Sequence, residues 1–205
     1  MIYAGHIDGA IDALRRALSV SEKTLGEYHE QTAITIQTLA RAISAQRNHA
    51  EALSTYQRAL RIREQVLGES QSTAITYTLH CMGQEMIALV NADGAVDVLR
   101  RALAMKEKIL GEYHEQTAAT IHEITRAIST QGDHPAALGT YQSALRIQEQ
   151  VLGECVSTAN TIHCIGQELT MMNKKGEAII AFVRAIVMGM KTTGIIPHSC
   201  SSDKT

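Results

Sequence analysis

The sequence predicts an all-α protein built as an α-solenoid of helix-turn-helix repeats. Two prolines, no tryptophan and one phenylalanine among 205 residues, of which 45% are apolar, are typical of helices packed through Ala, Leu, Ile and Met rather than of a β-sandwich. The tripeptide LGE recurs at residues 25, 67, 110 and 152, with spacings of 42, 43 and 42 residues. Residues 15–69 also match residues 100–154 with roughly two-thirds of the positions identical. A block of two repeats has therefore been duplicated.

Each period contains two amphipathic helices and a turn. In the second period the apolar residues follow one helix face at the i, i+1, i+4, i+7, i+8 spacing, namely Ala52, Leu53, Tyr56, Ala59 and Leu60. This helix should end at a glycine that takes the left-handed conformation, and the equivalent glycines are Gly26, Gly68, Gly111 and Gly153. Threonines near the next helix start are expected to cap free N–H groups: Thr32, Thr73, Thr117 and Thr158. Pro135 suits the first turn of a helix.

One unpaired helix, four repeats and a tail follow from this periodicity. We expect an array over residues 1–193, with an orphan second helix at about 6–25 and four repeats at about 32–67, 73–110, 117–152 and 158–192. The residues before the orphan helix match the close of a first helix, so the chain is expected to begin inside a repeat. Residues 194–205 are expected to form a disordered tail.

The spacing of small and large residues resembles a known repeat family. Four residue pairs begin the pattern: Leu39-Ala40, Met82-Gly83, Ile124-Thr125 and Ile165-Gly166. An alanine lies twelve residues after the second member of each pair, as Ala52 does after Ala40. A large residue follows this alanine by four positions and a second alanine follows it by seven, as Tyr56 and Ala59 do. The chain resembles the tetratricopeptide repeat, in the subtype of roughly 42 residues typical of kinesin light chains. The resemblance implies a right-handed α-solenoid that binds proteins and is not an enzyme.

The nonamer LGEYHEQTA occurs at residues 25–33 and again at residues 110–118. It spans the end of one helix, the turn and the start of the next repeat. We therefore interpret it as a copied structural connection rather than as a site that chemistry required twice.

Motifs for catalysis or metal binding are missing from the sequence. His29-Glu30 and His114-Glu115 start an HExxH pattern, but Ala33 and Ala118 stand where the second histidine must lie. The dipeptides His80-Cys81 and His163-Cys164 occupy equivalent helices two repeats apart, too far to share one metal. No phosphate loop, dinucleotide fingerprint or GxSxG elbow occurs. We predict no catalytic residue, no cofactor and no metal.

Charge and hydropathy narrow the class of partner. A formal net charge of −2 gives no basic field for nucleic acid or an anionic membrane, and no apolar run is long enough to span a bilayer. The four cysteines form no CxxC pair or dense framework, as in proteins of a reducing compartment. We expect a cytoplasmic protein.

The family resemblance implies a concave groove lined by the first helix of each repeat. The predicted groove residues are Gln37, Arg41, Ser44, Tyr77, His80, Gln84, His122, Arg126, Ser129, Asn160, His163 and Gln167. Arg41 and Arg126 are expected to contact an acidic side chain or a terminal carboxylate, although pairing with neighbouring glutamates is the alternative. The histidine row could make binding pH-dependent; neutral, hydrogen-bonded histidines are the alternative.

The last helix is apolar around most of its circumference, through Ile179, Ile180, Phe182, Val183, Ile186, Val187 and Met190. Such a helix requires burial on more than one side. Two explanations stay open at this point: the chain is a fragment of a longer array, or it self-associates or binds another protein through this helix. A structural self-association module is thus the alternative to a peptide-binding adaptor.

Overall fold

The computed structural model describes residues 2–68, 73–112 and 114–194. Within those ranges the chain forms nine α-helices and no strand, which confirms the all-α prediction. The helices fall into two compact units, residues 1–112 and residues 113–205. The predicted tail lies outside the described residues apart from Gly194.

Unit 1 contains five helices that each pack against the next in sequence. They are α1 (Ile2–Leu25), α2 (Glu30–Ala45), α3 (His49–Leu67), α4 (Thr73–Ala88) and α5 (Ala92–Leu110). The core between them holds Leu39, Ile43, Tyr56, Ile75 and Leu79. The expected junction before residue 6 is not observed, since α1 is one continuous helix from Ile2; no glycine-led turn with a capping residue interrupts it there.

Unit 2 contains four helices arranged as two helix-turn-helix pairs: α6 (Glu115–Thr130), α7 (His134–Val151), α8 (Val156–Met171) and α9 (Lys175–Thr192). Its core joins Leu138 and Tyr141 of α7 to Ile162 and Leu169 of α8. Pro135 lies in the first turn of α7, as predicted. None of the described helices is long and apolar enough to cross a membrane.

The turns between repeats open at glycines with positive φ. Gly26, Gly68, Gly111 and Gly153 have φ values of 92°, 71°, 90° and 63°, a region that side chains with a Cβ rarely enter. The ψ values of Gly68 and Gly111 are 174° and 160°. The backbone of these two glycines is therefore extended in ψ and does not have the left-handed helical conformation predicted from the sequence.

The residues that cap the following helices differ from those predicted. His29 and His114 are the N-caps of α2 and α6, and the Nδ1 atom of each accepts a hydrogen bond of 3.1 Å from the backbone N–H two residues on. The Thr32 hydroxyl instead donates to the carbonyl of Gly26 at 2.9 Å, and Thr158 donates to Gly153 in the same way. Thr32 and Thr158 are each the third residue of their helix, and their hydroxyls bond to the carbonyl of the preceding glycine rather than to a free N–H.

Small residues on the first helices permit close approach of the second helices. A Cβ built on Gly83 of α4 would lie 2.4 Å from Cγ of Leu99 in α5, and one on Gly166 of α8 would lie 2.7 Å from the Phe182 ring in α9. Real Cβ atoms do not approach other atoms so closely. Each glycine therefore sets the distance between the two helices of its repeat.

Candidate functional site

The predicted groove residues lie on the first helices of the repeats and form two faces, one in each unit. The unit 1 face is carried by α2 and α4 and comprises Gln37, Arg41, Ser44, Tyr77, His80 and Gln84. The unit 2 face is carried by α6 and α8 and comprises His122, Arg126, Ser129, Asn160, His163 and Gln167. The amphipathic pattern explains the arrangement, since the opposite side of each helix supplies buried residues such as Ile36 and Ile162.

Arg41 and Tyr77 are the most accessible groups of the unit 1 face. The Tyr77 side chain is 43% exposed, and Arg41 is exposed and makes no hydrogen bond or ion pair with any residue in the described ranges. Partial burial and the nearby Cys81 raise the pKa of Tyr77, while the charge of Arg41 opposes that shift. Arg41 and Tyr77 are thus the two groups of this face that are most open to a ligand.

Gln37 of the unit 1 face takes part in a hydrogen-bond network with buried residues. Its Oε1 accepts from Arg63 of α3 and from the Thr78 hydroxyl of α4 at 3.3 Å. Arg63 is only 3% exposed and also donates to Glu30 at 3.2 Å, to Thr78 at 2.5 Å and to the carbonyl of Ala74 at 3.1 Å. Gln37 is thus held by the protein and contributes less freely to a ligand than Arg41.

The Ser44 hydroxyl is also hydrogen-bonded to another residue of unit 1. It donates at 2.6 Å to Glu85 of α4, whose other carboxylate oxygen lies 2.8 Å from Nδ1 of His49. In unit 2, Glu168 lies 2.9 Å from Nδ1 of His134, which is the equivalent pair. Both carboxylates are almost completely buried. Each pair joins the start of the second helix of one repeat to the first helix of the next repeat.

The polar side chains of the unit 2 face differ in whether they already interact with other residues of the protein. Arg126 lies 3.0 Å from Glu123 one turn earlier on α6, as one of the two alternatives predicted. Asn160, His163 and Gln167 are exposed at successive turns of α8. A shallow cavity of about 220 Å³ adjoins Asn160 and His163 and extends to the α9 residues that follow Ala185.

The histidines of unit 2 pack on aromatic rings of the second helices. The ring centroid of His122 lies 5.4 Å from that of Tyr141, and the centroid of His163 lies 5.1 Å from that of Phe182. Nε2 of His122 is also 3.2 Å from the Cys164 thiol. Burial lowers the pKa of His122, Glu123 opposes this shift and Arg126 adds to it. His122 is therefore neutral near pH 7.

Cys164 and Cys81 are the thiols nearest the two faces. Burial raises the pKa of both, although tyrosine hydroxyls that hydrogen-bond to the sulfurs act in the opposite direction. Neither thiol is thereby favoured as a thiolate. Over the described ranges, no three His, Cys, Asp or Glu side chains are grouped so that they could hold a metal ion.

Sequence reasoning missed the buried polar series that underlies both faces. Arg63, Lys106 and Gln148 occupy equivalent positions near the ends of α3, α5 and α7 and are 3%, 4% and 2% exposed. Their spacing of 43 and 42 residues is the repeat spacing, and this was the available signal. A polar residue that recurs at one position of an otherwise apolar face indicates a buried partner on the neighbouring helix.

Comparison with known proteins agrees with this architecture. A family model described as Tetratricopeptide repeat matches residues 2–65 and 72–150. The crystal structure of a putative kinesin light chain from Podosopora anserina, with nearly identical TPR-like repeats, has a TM-score of 0.80 at 22% identity over 93% of this chain and 90% of that chain. BtubC (BKLC) from P. vanneervenii gives a TM-score of 0.81 at 17% identity, over 99% of this chain and 81% of that one.

A third structure of the same fold contains a bound partner. The Rap protein complexed with Competence and Sporulation Factor matches with a TM-score of 0.71 at 16% identity, over 94% of this chain and 52% of that chain. At these identities the likeness concerns the fold alone. The repeat resemblance read from the sequence is confirmed at that level.

Proposed function

This chain belongs to the tetratricopeptide repeat family, and on that premise we propose that it is a non-catalytic adaptor that binds an extended peptide or a partner helix on its first-helix faces. Repeats of this fold generally mediate protein–protein interaction. The proposed partner is a protein segment that carries an acidic side chain or a free terminal carboxylate. We propose that it acts in the cytoplasm.

The observation that carries the proposal is that the Arg41 side chain is accessible to a ligand. The residue is exposed, and it has no hydrogen-bond or ion-pair partner in the described part of the chain. A guanidinium in this state keeps its donors available for a carboxylate, which it can bind through two parallel hydrogen bonds. Tyr77 of the same face is also exposed and offers apolar area and a hydroxyl, and Tyr and Arg are enriched among residues that dominate binding energy.

The unit 2 face supports recognition of the peptide backbone. Asn160 and Gln167 carry amides with both donors and acceptors, and they are exposed on the same helix as His163. Such groups can pair with the N–H and C=O groups of an extended segment, whichever side chains it carries. The Rap protein shows that a protein of this fold can be crystallised with Competence and Sporulation Factor bound.

A titration of acidic peptides against variants of the two faces tests this function. We would measure fluorescence anisotropy with a peptide library rich in Asp and Glu, each member with a free and with an amidated C-terminus. Arg41→Ala should weaken binding of the selected peptides about 10-fold or more, because it removes a charge-assisted pair worth about 1.5–3 kcal/mol. Arg126→Ala should have the smaller effect, because Arg126 already pairs with Glu123.

Arg61→Ala is the matched control for Arg41→Ala. Arg61 is also an exposed arginine without an ion-pair partner in the described part of the chain, but it lies on the second helix α3, which carries none of the face residues. Its removal changes the net charge equally and should leave affinity within about twofold. Equal losses in both variants would show non-specific charge attraction, and no binding by any peptide would reject the adaptor function.

A second candidate function is self-association, favoured by the exposed apolar surface of α9. Ile180 and Ile179 of this helix are 70% and 62% exposed. We propose this function independently of the first-helix faces, since α9 is the second helix of its repeat.

A further inference from the structure

α9 exposes more apolar surface than any other second helix in the described ranges. Its exposed residues are Ile179 (62%), Ile180 (70%), Val183 (54%), Ile186 (59%), Val187 (40%) and Met190 (37%). They lie opposite the face that packs on α8 through Ala178, Ala181 and Ala185. Contiguous exposed apolar surface of this kind marks an interaction site.

A stacked repeat would cover only part of this surface. Leu138 and Leu145 of α7, equivalent to Ile179 and Ile186, belong to the core that the following repeat closes. In α3 the equivalent residues Leu53 and Leu60 are likewise in the core. Repeat stacking therefore accounts for Ile179 and Ile186.

Ile180, Val183 and Val187 are not explained in this way. Their equivalents are Ser54, Gln57 and Arg61 in α3 and Gly139, Gln142 and Arg146 in α7, and all six are exposed. Both helices are followed by another repeat in the same unit. The three positions thus remain solvent-exposed in stacked repeats, and α3 and α7 have polar residues or glycine there. Of these three helices, α9 alone has apolar residues at all three positions.

The exposed residues of α9 form a coiled-coil-type seam. Ile179, Val183, Ile186 and Met190 are separated by four, three and four residues, which is the heptad spacing of a and d positions. Ile180 and Val187 widen the seam on one side. We call these six residues the α9 seam.

We propose that the α9 seam binds the α9 seam of a second copy of this chain, in an antiparallel pair; the inference rests on self-association, the second candidate function. A two-fold interface must be complementary to itself. In an antiparallel pair, Val183 packs against Ile186 of the partner subunit, and Ile179 packs against Met190 of the partner subunit. Both of these layers are then apolar.

Charge favours antiparallel over parallel pairing. The start of α9 carries Lys174, Lys175 and Glu177, and its last turn carries Lys191, which lies 3.0 Å from Glu154. A helix N-terminus already has positive partial charge, so a parallel pair would place two such ends together. An antiparallel pair instead places each of these ends beside the C-terminal carbonyls of the other helix, which attract it, and beside a Lys191 that is already paired with Glu154.

Light-scattering mass over roughly 10–500 µM protein tests the interface. The test variant is Ile180→Ser/Val183→Gln/Val187→Arg, which introduces into α9 the residues found at the equivalent positions of α3. We expect the wild type to dimerise and this variant to dissociate at least about 10-fold more readily. The three side chains are exposed, so the variant should fold; circular dichroism checks this.

Gln142→Glu supplies the matched control, since Gln142 is the α7 equivalent of Val183. It should leave the dimer unchanged. A wild type that stays monomeric at every concentration would reject self-association and leave the seam to another protein. A wild type that dimerises together with an equally dimeric triple variant would reject the α9 seam while self-association stands.

Disulfide trapping tests the orientation. Val183→Cys and Ile186→Cys chains, with Cys155, Cys164 and Cys200 replaced by serine, are mixed and oxidised. Antiparallel pairing predicts mixed 183–186 disulfides in excess of either like pair, because only there do the Cβ atoms of one layer come within about 4 Å. An excess of 183–183 and 186–186 disulfides would overturn the antiparallel arrangement.

Discussion

Arg63 shows how a single buried residue joins three helices of unit 1. Its guanidinium on α3 donates to Glu30 and Gln37 of α2 and to Thr78 of α4. A buried charge is tolerated only when its donors are paired, and here its partners are drawn from the helices on either side. The same residue also holds Gln37, a member of the unit 1 face.

Replacing Arg63 should destabilise the protein strongly. Arg63→Ala leaves Gln37 and Thr78 short of a donor and should reduce the free energy of unfolding by about 2–4 kcal/mol. Arg63→Lys should cost less, because Lys106 occupies the equivalent buried position of α5. Urea denaturation followed by circular dichroism measures both.

Arg61→Ala serves as the exposed control for this series, with an expected change within about 0.5 kcal/mol. A similar loss for Arg61→Ala and Arg63→Ala would mean that the network adds nothing beyond an ordinary surface arginine.

His122 should make stability fall on acidification. Because burial lowers its pKa, the folded state binds its proton less readily than the unfolded chain, where the pKa is about 6.5. The stabilisation from neutral His122 is complete above that pH and is lost as the pH falls below it. Its neighbours on other helices are the Cys164 thiol and the Tyr141 ring.

The measurement is the unfolding free energy of wild type and His122→Gln at about pH 7.5 and about pH 5. The wild type should lose more stability than the variant between these values. An identical loss in both proteins would show that His122 does not titrate differently in the folded state.

At the scale of elements, the two helices of a repeat are held together by a small residue facing a large one. Gly83 faces Leu99 and Gly166 faces Phe182. Leu99 is fully buried, so it has little room to move if a methyl group is added. The closeness of the helices therefore depends on glycine at these positions.

Gly83→Ala should destabilise the fold by about 1–3 kcal/mol through overpacking. Gly139→Ala is the matched control: Gly139 is also helical, but a Cβ there meets nothing within 4 Å. It should stabilise α7 by up to about 1 kcal/mol, since alanine has the higher helix propensity. Denaturation midpoints give both values, and a stabilising Gly83→Ala would contradict the packing account.

The duplicated nonamer is also an element-scale feature. In residues 25–33 it supplies the end of α1, the positive-φ Gly26, the N-cap His29 and the Thr32 hydroxyl that closes the turn. In the second copy, His114 caps α6 in the same manner. Its histidine is thus structural in both copies, which supports the interpretation of a copied connection.

At the scale of the whole molecule, one ion-pair pattern recurs in both units. Glutamates at the repeat spacing pair with an arginine of the next second helix: Glu22 with Arg58, Glu64 with Arg101 and Glu149 with Arg184. Each pair is partly exposed and stabilises by no more than about 1 kcal/mol. The pattern therefore repeats with the fold but adds little to its stability.

The helices and the family could be predicted because the repeat presents the same pattern several times. The capping residue could not, because His29 and Thr32 are both polar residues near one helix start, and only the backbone path shows which one faces the free N–H. The groove residues were predicted only by helix face. Their hydrogen bonds depend on residues that are distant in sequence, as for Ser44 with Glu85.

The sequence by itself determined the all-α repeat fold, the glycine turns and the faces of the helices, because these depend on local periodicity and on backbone conformation. Only the tertiary structure decided which polar groups are available. Ser44 donates to Glu85, which lies 41 residues away, and Gln37 accepts from Arg63, which lies 26 residues away. The pairing of Arg126 with Glu123 is by contrast local to α6. The tertiary structure also decided that Val183 is exposed, because burial depends on which helices pack together in space rather than on the pattern within one helix.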